Sequence, residues 1–156
     1  MGSELTAARI EELDLVSARW IIPSSRAKNH RQILIPLSEK ACELLRECVG
    51  DRDRGYIFPS SLDASKPQRS WNLNQAMRRL LKQADIEHAT LCDLRRTVAT
   101  LLGSLGYNRE LIKKILNHAR VGITDQVYAL YDCEREKRVA LEELGRLLDD
   151  FGLRVD

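Results

Sequence analysis

Several hallmarks of membrane, secreted and metal-binding proteins are missing from this sequence of 156 residues. No apolar run approaches the length of a membrane span, and no signal peptide opens the chain, so neither membrane insertion nor secretion is expected. The four cysteines (Cys42, Cys48, Cys92 and Cys133) show no Cys-x-x-Cys spacing and no partnering histidines. This pattern predicts reduced thiols in the cytoplasm rather than a zinc site or a disulfide framework.

The sequence also lacks a strong excess of either charge, because its formal net charge is only +2. A hydrophobic content of 44% with 31% charged residues is ordinary for a soluble globular protein. The length fits one domain with a real core, and there are no internal repeats or low-complexity tracts. If this protein binds nucleic acid, a local basic face must carry that function.

The most informative stretch runs from residue 90 to residue 131. Thr90 with Asp93 has the form of a capping box, which predicts a helix beginning at Leu91, and Gly106 is the expected left-handed residue at its end. Asn108 is the expected N-cap of a second helix. Apolar residues recur at helical spacing in both segments: Leu91, Leu94, Val98, Leu101, Leu102 and Leu105, then Leu111, Ile112, Ile115 and Leu116.

Outside this stretch the pattern predicts a short helix within residues 3–15, a last helix after residue 131, two helices between residues 39 and 84, and three short strands. One helix covers residues 39–49, with Ser38 as N-cap, Gly50 as its end and a buried face of Ala41, Leu44, Leu45, Cys48 and Val49. The other covers residues 72–84, with a stripe of Leu73, Ala76, Met77, Leu80, Leu81 and Ala84. Strands around Trp20, Ile33 and Tyr56 are expected to form a small antiparallel sheet, so the fold class is mainly α with a small β-sheet (α+β).

The polar residues of this stretch suit phosphodiester chemistry. Arg95 and Arg96 fall in the first turn of one predicted helix, and His118 lies just past the last turn of the next. A guanidinium matches a phosphate bidentately, a histidine shuttles a proton near neutral pH, and an activated tyrosine such as Tyr128 can attack phosphorus. Taken singly, each favours a plainer role: a solvated arginine, a locally bonded histidine, a half-buried tyrosine.

The order of the blocks makes the pattern specific. Residues 94–97 read LRRT, residues 116–118 read LNH, and the Val127–Tyr128 step precedes a charged segment, residues 134–138. In this order and spacing the chain resembles the catalytic domain of the tyrosine recombinases, especially the phage-type integrases. The resemblance implies the fold of that catalytic domain. It also implies a function in site-specific DNA recombination or integration.

The resemblance also implies a role for each site residue. Tyr128 would attack the scissile phosphate and form a 3′-phosphotyrosyl bond, which stores the backbone energy so that no ATP, metal or cofactor is needed. Arg95 would neutralise the non-bridging oxygens, and His118 would hydrogen-bond the phosphate. Lys28, in the polar loop of residues 24–30, falls where the family has its catalytic hairpin lysine and would protonate the departing 5′-oxygen. On this segment alone, a solvated loop lysine is the plainer reading.

Two positions depart from the family pattern. Cys92 stands three residues before Arg95, where the family has a histidine, and a thiol cannot match an imidazole's reach to a phosphate oxygen. His88, four residues earlier, is a weak substitute. The first catalytic arginine should lie three residues before Glu4, at Met1. We therefore expect residues 4–156 to be an integrase-type catalytic domain truncated at its N-terminus, with residues 1–3 a cloning scar, the upstream DNA-binding domain absent, and little activity in this fragment.

The expected partner is double-stranded DNA, with no membrane and no small-molecule substrate. Basic residues off the apolar stripes are candidates for DNA phosphate contacts: Arg78, Arg79, Lys82, Arg96 and Arg120. A last helix, from Asp132 to about Asp150, has an apolar edge of Leu141, Leu144, Leu148 and Phe151. It is expected to dock on its own domain or, in a tetramer on DNA, on a neighbour. Two alternatives remain: a degenerate integrase remnant that only binds DNA, and a helical protein-interaction domain.

Overall fold

The computed structural model describes residues 2–27, 30–117 and 133–151, with side chains from Glu4 onward. Its architecture is mainly helical with one small antiparallel sheet, which confirms the predicted fold class. In chain order the elements are α1 (Gly2–Thr6), a 3₁₀ turn (Ile10–Glu12), β1 (Leu13–Asp14), β2 (Arg19–Ile22), β3 (Ile33–Pro36), α2 (Glu39–Val49), α3 (Ser70–Gln83), α4 (Leu91–Ser104), α5 (Arg109–Ile115) and α6 (Glu134–Asp150).

The sheet has the order β1-β2-β3, and both pairings are antiparallel. The predicted hairpin of β2 and β3 is present, with Trp20 opposite Ile35. The third strand was assigned wrongly, because β1 fills that place and Tyr56 forms only an isolated bridge with Arg9. The reason is local: Asp14 accepts hydrogen bonds from the next turn's amides, at 3.2 Å from Val16 and 2.9 Å from Ser17, so the chain folds straight back into β2.

The helix ends follow their capping residues. Thr90 and Asp93 form the complete capping box of α4, and the Asn108 side chain accepts the Leu111 amide at 2.9 Å at the start of α5. Between them, the Tyr107 amide bonds the Leu102 carbonyl at 3.1 Å while Gly106 has φ of 88°. This hydrogen bond and the left-handed Gly106 are features of a Schellman motif, which ends α4 and turns the chain into α5.

Within the described part of the chain, two hydrophobic clusters form the core. The first combines Ala8, Val49 and Ile57, with Trp20 and Phe58 packed against it. The second combines Leu102 of α4 with Ala140 and Leu144 of α6, and α5 packs against it. The predicted apolar edge of the last helix therefore lies within its own domain, except for Phe151, which is exposed.

Some predicted buried positions were wrong. On α2 the buried residues are Cys42 and Val49, while Leu44 and Cys48 are exposed. Leu94 of α4 and Leu80 of α3 are also exposed, and α3 has no buried residue. Helical spacing predicts a stripe but not its centre, which depends on which neighbouring element covers it. No helix among the described residues is long and apolar enough to cross a membrane.

Candidate active site

Arg95 lies where α4 meets the end of α5. Its guanidinium donates a hydrogen bond to the carbonyl oxygen of Leu116, the C-cap residue of α5. Asn117, the next residue, has a positive φ of 48°, so the chain turns sharply at this point. Two of the three sequence blocks are therefore adjacent in space: the LRRT block on α4 and the LNH block after α5. His118, the next residue of the second block, lies outside the described residues.

The chain re-enters the described structure at Cys133, close to the place where it left. The Lys114 ammonium of α5 lies 2.9 Å from the Cys133 sulfur. One residue later, Glu134 accepts a hydrogen bond at 2.8 Å from Arg19 on β2, and this pairing lowers the pKa of Glu134. Tyr128, Arg120 and Tyr131 lie outside the described residues, but both ends of their segment are anchored, beside Arg95 and on the sheet.

The loop that carries Lys28 connects β2 to β3. Lys28 and Asn29 are outside the described residues, whereas both sides of the step are placed. The amides of Arg26 and Ala27 both bond the Pro23 carbonyl at 3.0 Å, and the His30 amide bonds the Ala27 carbonyl at 3.0 Å. The start of the loop, residues 23–27, is therefore a tight turn with Ala27 buried.

Beside this loop is a polar network that sequence reasoning missed. Glu12 receives two hydrogen bonds of 2.6 Å from the Arg26 guanidinium and one of 3.0 Å from the indole of Trp20. Arg26 also donates to the Glu4 carbonyl at 2.9 Å. No periodicity links residues 14 positions apart, so only the fold of the sheet brings Arg26 and Glu12 together.

Two positions near Arg95 on α4, Cys92 and Arg96, are both exposed. Cys92 is exposed, and Arg96 is exposed while bonded to Asp93 at 2.6 Å. Asp93 is the capping-box carboxylate, and the hydroxyl and amide of Thr90, followed by Arg96, lower its pKa to about 2. Arg96 is therefore an exposed cation held near the start of α4.

The other basic candidates lie on α3. Arg78 and Lys82 line an open hollow of about 470 Å³ between α3 and the start of α4, together with His88 and Thr90. Arg79 is exposed but does not line the hollow. His88 therefore borders the first turn of α4, and Arg95 lies in the turn that follows. Among the described residues no group of three or more histidine, cysteine, aspartate and glutamate side chains is placed to hold a metal.

The comparison with protein families decides the identity of this arrangement. The model of the phage integrase family matches residues 2–135, which covers both anchored ends and the segment between them. The chain belongs to the phage integrase family. Two sequence blocks that the fold brings together at Arg95 thus lie within the matched region of an integrase domain.

Two curated integrase relatives are similar to the chain. Prophage integrase IntA of Escherichia coli (strain K12) is 28% identical over 144 residues, covering 90% of this chain and 33% of the relative. A tyrosine recombinase XerC-like protein of Caldanaerobacter subterraneus subsp. tengcongensis is 27% identical over 103 residues, covering 64% of this chain and 25% of that relative. The chain thus spans a third or less of the length of these relatives. No solved structure gives a significant match.

Proposed function

We propose that this integrase domain cleaves and rejoins DNA at specific sites through a 3′-phosphotyrosyl intermediate on Tyr128. The observation that carries the proposal is the hydrogen bond from Arg95 to the Leu116 carbonyl. It holds a phosphate-binding cation beside the residue pair that precedes His118. Family membership over residues 2–135 supports the same chemistry.

The chain length between the anchored ends limits where Tyr128 can act. Tyr128 precedes Cys133 by five residues, and an extended chain advances at most about 3.6 Å per residue. Five residues of chain therefore reach at most roughly 18 Å from the Cys133 Cα atom. Since Lys114 holds Cys133 to α5, the nucleophile is tethered to the helix that ends beside Arg95.

In the proposed reaction the Tyr128 hydroxyl loses its proton to water as its oxygen attacks phosphorus, and the bond between phosphorus and the 5′-oxygen breaks. Lys28 gives its proton to the departing oxygen, while Arg95 and His118 stabilise the charge on the non-bridging oxygens. Rejoining reverses these steps. In this scheme the family's first arginine, which the pattern places at Met1, is the second cation of the phosphate clamp.

The proposed partner is double-stranded DNA, contacted through Arg78, Arg79, Lys82, Arg96 and Arg120. Phosphate contacts of this kind position DNA without reading its sequence. We further propose a tetramer on DNA in which the last helix contributes to the contact with a neighbour. Because Leu144 and Ala140 pack in cis, the exposed side chains of Val139 and Phe151 are, within residues 133–151, the large apolar groups that could make that contact.

A nicked suicide DNA substrate tests the proposal, because cleavage then traps the covalent adduct. We expect the full protein to form an adduct that peptide mapping places on Tyr128, and Tyr128→Phe to form none. An adduct on Tyr131 instead would show that the nucleophile has been assigned wrongly.

Cys92 favours one alternative, a degenerate domain that binds DNA without cleaving it, because a thiol replaces the family histidine. Cys92→His separates the two readings. Adduct formation that appears only in Cys92→His would mark the natural domain as a DNA-binding remnant. Adduct formation by both proteins would show that the thiol is tolerated.

A further inference from the structure

The amine of Lys114 and the thiol of Cys133 are in direct contact between two helices. The Lys114 ammonium donates a hydrogen bond to the Cys133 sulfur at 2.9 Å, and both side chains are half-buried. Lys114 lies in the last turn of α5, and Cys133 is the N-cap residue of α6. The nitrogen and the sulfur therefore need little movement to form a covalent bond.

Both partners belong to packed helices. α5 packs against the second core cluster, in which Ala140 and Leu144 of α6 are buried. The carbonyl oxygen of Cys133 accepts the Lys137 amide at 2.9 Å, so the backbone at the thiol is fixed by the first hydrogen bond of α6. The contact between the amine and the thiol therefore depends on the folded arrangement of α5 and α6.

The other three cysteines have different surroundings. Cys42 is buried, and burial raises the pKa of its thiol. Cys48 and Cys92 are exposed, and neither is hydrogen-bonded to a lysine within the described part of the chain. Since oxidation of a thiol depends on its access to solvent, these two should be oxidised without an amine beside them.

A thiol beside an amine has a specific fate when it meets a hydroperoxide. The sulfur attacks one peroxide oxygen, the bond between the two oxygens breaks, and a sulfenic acid and a water form, so that sulfur is oxidised and the peroxide reduced. The amine, after losing a proton to solvent, then attacks the sulfur. A sulfur–nitrogen bond forms as the sulfur–oxygen bond breaks, and hydroxide leaves with a proton from nitrogen as a second water.

We propose that Lys114 and Cys133 form a reversible sulfur–nitrogen crosslink when this protein meets a hydroperoxide. The site is a pair of side chains from two helices, held 2.9 Å apart by the fold, and no step of the reaction involves DNA. A small dithiol reverses the crosslink by attacking the sulfur and releasing the amine, and its second thiol then frees Cys133. The crosslink closes the chain over residues 114–133.

Peptide mapping of the full protein after treatment with hydrogen peroxide tests the proposal. Trypsin cleaves after lysine and arginine, and a blocked Lys114 leaves residues 114–120 as one peptide. We expect this peptide to be joined to residues 121–135, with two hydrogen atoms fewer than the separate peptides, and to be released by dithiothreitol. Absence of the joined peptides under conditions that fully oxidise Cys92 would overturn the proposal.

Lys113 provides the matched control for Lys114. It is exposed on the same turn of α5 and pairs with Glu110 at 2.7 Å. Lys114→Arg keeps the positive charge, but a guanidinium stays protonated and does not attack sulfur, so we expect no joined peptides. Lys113→Arg should give the same yield as the parent. A crosslink that persists in Lys114→Arg, or that is lost in Lys113→Arg, would overturn the assignment.

A β-diketone reagent that traps sulfenic acids gives the complementary readout. In the parent we expect labelling at Cys48 and Cys92 and little at Cys133, because the amine consumes its sulfenic acid first. Labelling of Cys133 should rise severalfold in Lys114→Arg and stay low in Lys113→Arg. Equal labelling of Cys133 in the parent and in Lys114→Arg would overturn the proposal.

Peroxide treatment in concentrated urea tests whether the fold holds the pair together. In the unfolded chain only the 19-residue separation along the sequence brings the two groups together. We expect the yield of joined peptides to fall at least about tenfold, because the effective concentration of the amine at the sulfur is lost. Equal yields in buffer and in urea would overturn the proposal. This comparison uses the parent protein, so it holds even if Lys114→Arg does not fold.

Discussion

At the scale of single residues, two arginine side chains are held by backbone carbonyls of other segments. Arg95 bonds the last carbonyl of α5, and Arg26 bonds the carbonyl of Glu4. Helix C-termini leave carbonyl groups without helical partners, so a guanidinium both completes the helix and is oriented by it. The same hydrogen bond therefore stabilises the fold and fixes the orientation of the guanidinium group.

Arg95→Lys should separate these two roles. A lysine keeps the charge but loses the planar fork that joins the carbonyl and a phosphate oxygen. We expect adduct formation on suicide DNA to fall by roughly a hundredfold to a thousandfold, which corresponds to ~2.7–4 kcal/mol of oxyanion stabilisation. Arg109→Lys, an exposed position at the start of α5, should change it little. Equal rates for both variants would place Arg95 outside the site.

Asp93 gives the start of α4 an acid-sensitive cap. Its pKa is lowered to about 2 by the Thr90 hydroxyl, then the Thr90 amide, then Arg96. A group with a depressed folded-state pKa adds stability that is fully present above its unfolded value, near 3.8, and is lost as pH falls through about 2. We expect a carboxyl NMR titration of Asp93 to have its midpoint near 2. A midpoint near the unfolded value would mean that the capping box does not form in solution.

At the scale of elements, α6 makes a hydrogen bond and an ion pair with the start of α2. Glu142 accepts the Glu39 amide at 3.0 Å, and Lys40 pairs with Asp149 at 2.9 Å. Negative charge is favourable at a helix N-terminus, so Glu142 stabilises α2 electrostatically as well as by the hydrogen bond. At Gly145 the two elements are close, since a Cβ atom there would lie 3.4 Å from the Ser38 hydroxyl, at ordinary van der Waals contact.

Substitutions at two helical glycines test how tight this contact is. Gly103→Ala in α4 meets no atom within 4 Å, so it should gain the full helix propensity of alanine, about 0.8–1 kcal/mol. Gly145→Ala should gain less, because its Cβ atom touches Ser38, and Gly145→Val should lose stability. Urea unfolding of the three variants measures the order. A Gly145→Val protein as stable as Gly103→Ala would show that α6 sits farther from α2.

Leucine-to-alanine substitutions on α4 should distinguish its buried side chains from its exposed ones. Leu102 is completely buried between α4 and α6, whereas Leu94 exposes 51% of its surface. Leu102→Ala should cost about 2–5 kcal/mol through lost contacts and the cavity left behind. Leu94→Ala on the same helix should cost about 0.5 kcal/mol or less. Similar losses in denaturant unfolding would mean that Leu94 is covered in solution.

At the scale of the whole molecule, a net charge of +2 means that one basic face would have to carry the proposed DNA binding. Arg78 and Lys82 border the hollow between α3 and the start of α4. Arg79 on α3 and Arg96 on α4 are exposed. Each phosphate contact contributes about −0.9 to the slope of log K against log salt concentration. The triple change of Arg78, Arg79 and Lys82 to glutamine should therefore flatten the slope by about 2–3.

Filter binding at several salt concentrations measures that slope. A matched triple change to glutamine at Arg46, Arg135 and Arg146, away from α3, removes the same charge and should alter the slope much less. Equal effects of the two triples would indicate that only net charge matters. An unchanged slope in the α3 triple would exclude that helix from the DNA interface.

Much of the local structure could be predicted from the sequence because it depends on neighbours along the chain. The capping box of Thr90 and Asp93, the Gly106 turn and the Asn108 cap were all predicted and are confirmed. The hairpin of β2 and β3 was predicted from its β-branched residues, and the family resemblance is confirmed over residues 2–135. The roles of Lys28, His118 and Tyr128 stay predictions, since these residues lie outside the described structure.

Other features were decided by tertiary contacts between distant residues. The sequence pattern assigned Tyr56 to the sheet and Leu44 to the core, but β1 occupies the sheet edge and Cys42 is the buried residue of α2. Periodicity gives the face of an isolated element, while burial depends on the element that packs against it. The bonds of Arg95 to α5 and of Arg26 to Glu12 join residues with no sequence periodicity between them. Local propensity therefore determined the elements of this integrase domain, and long-range packing decided which charges face each other.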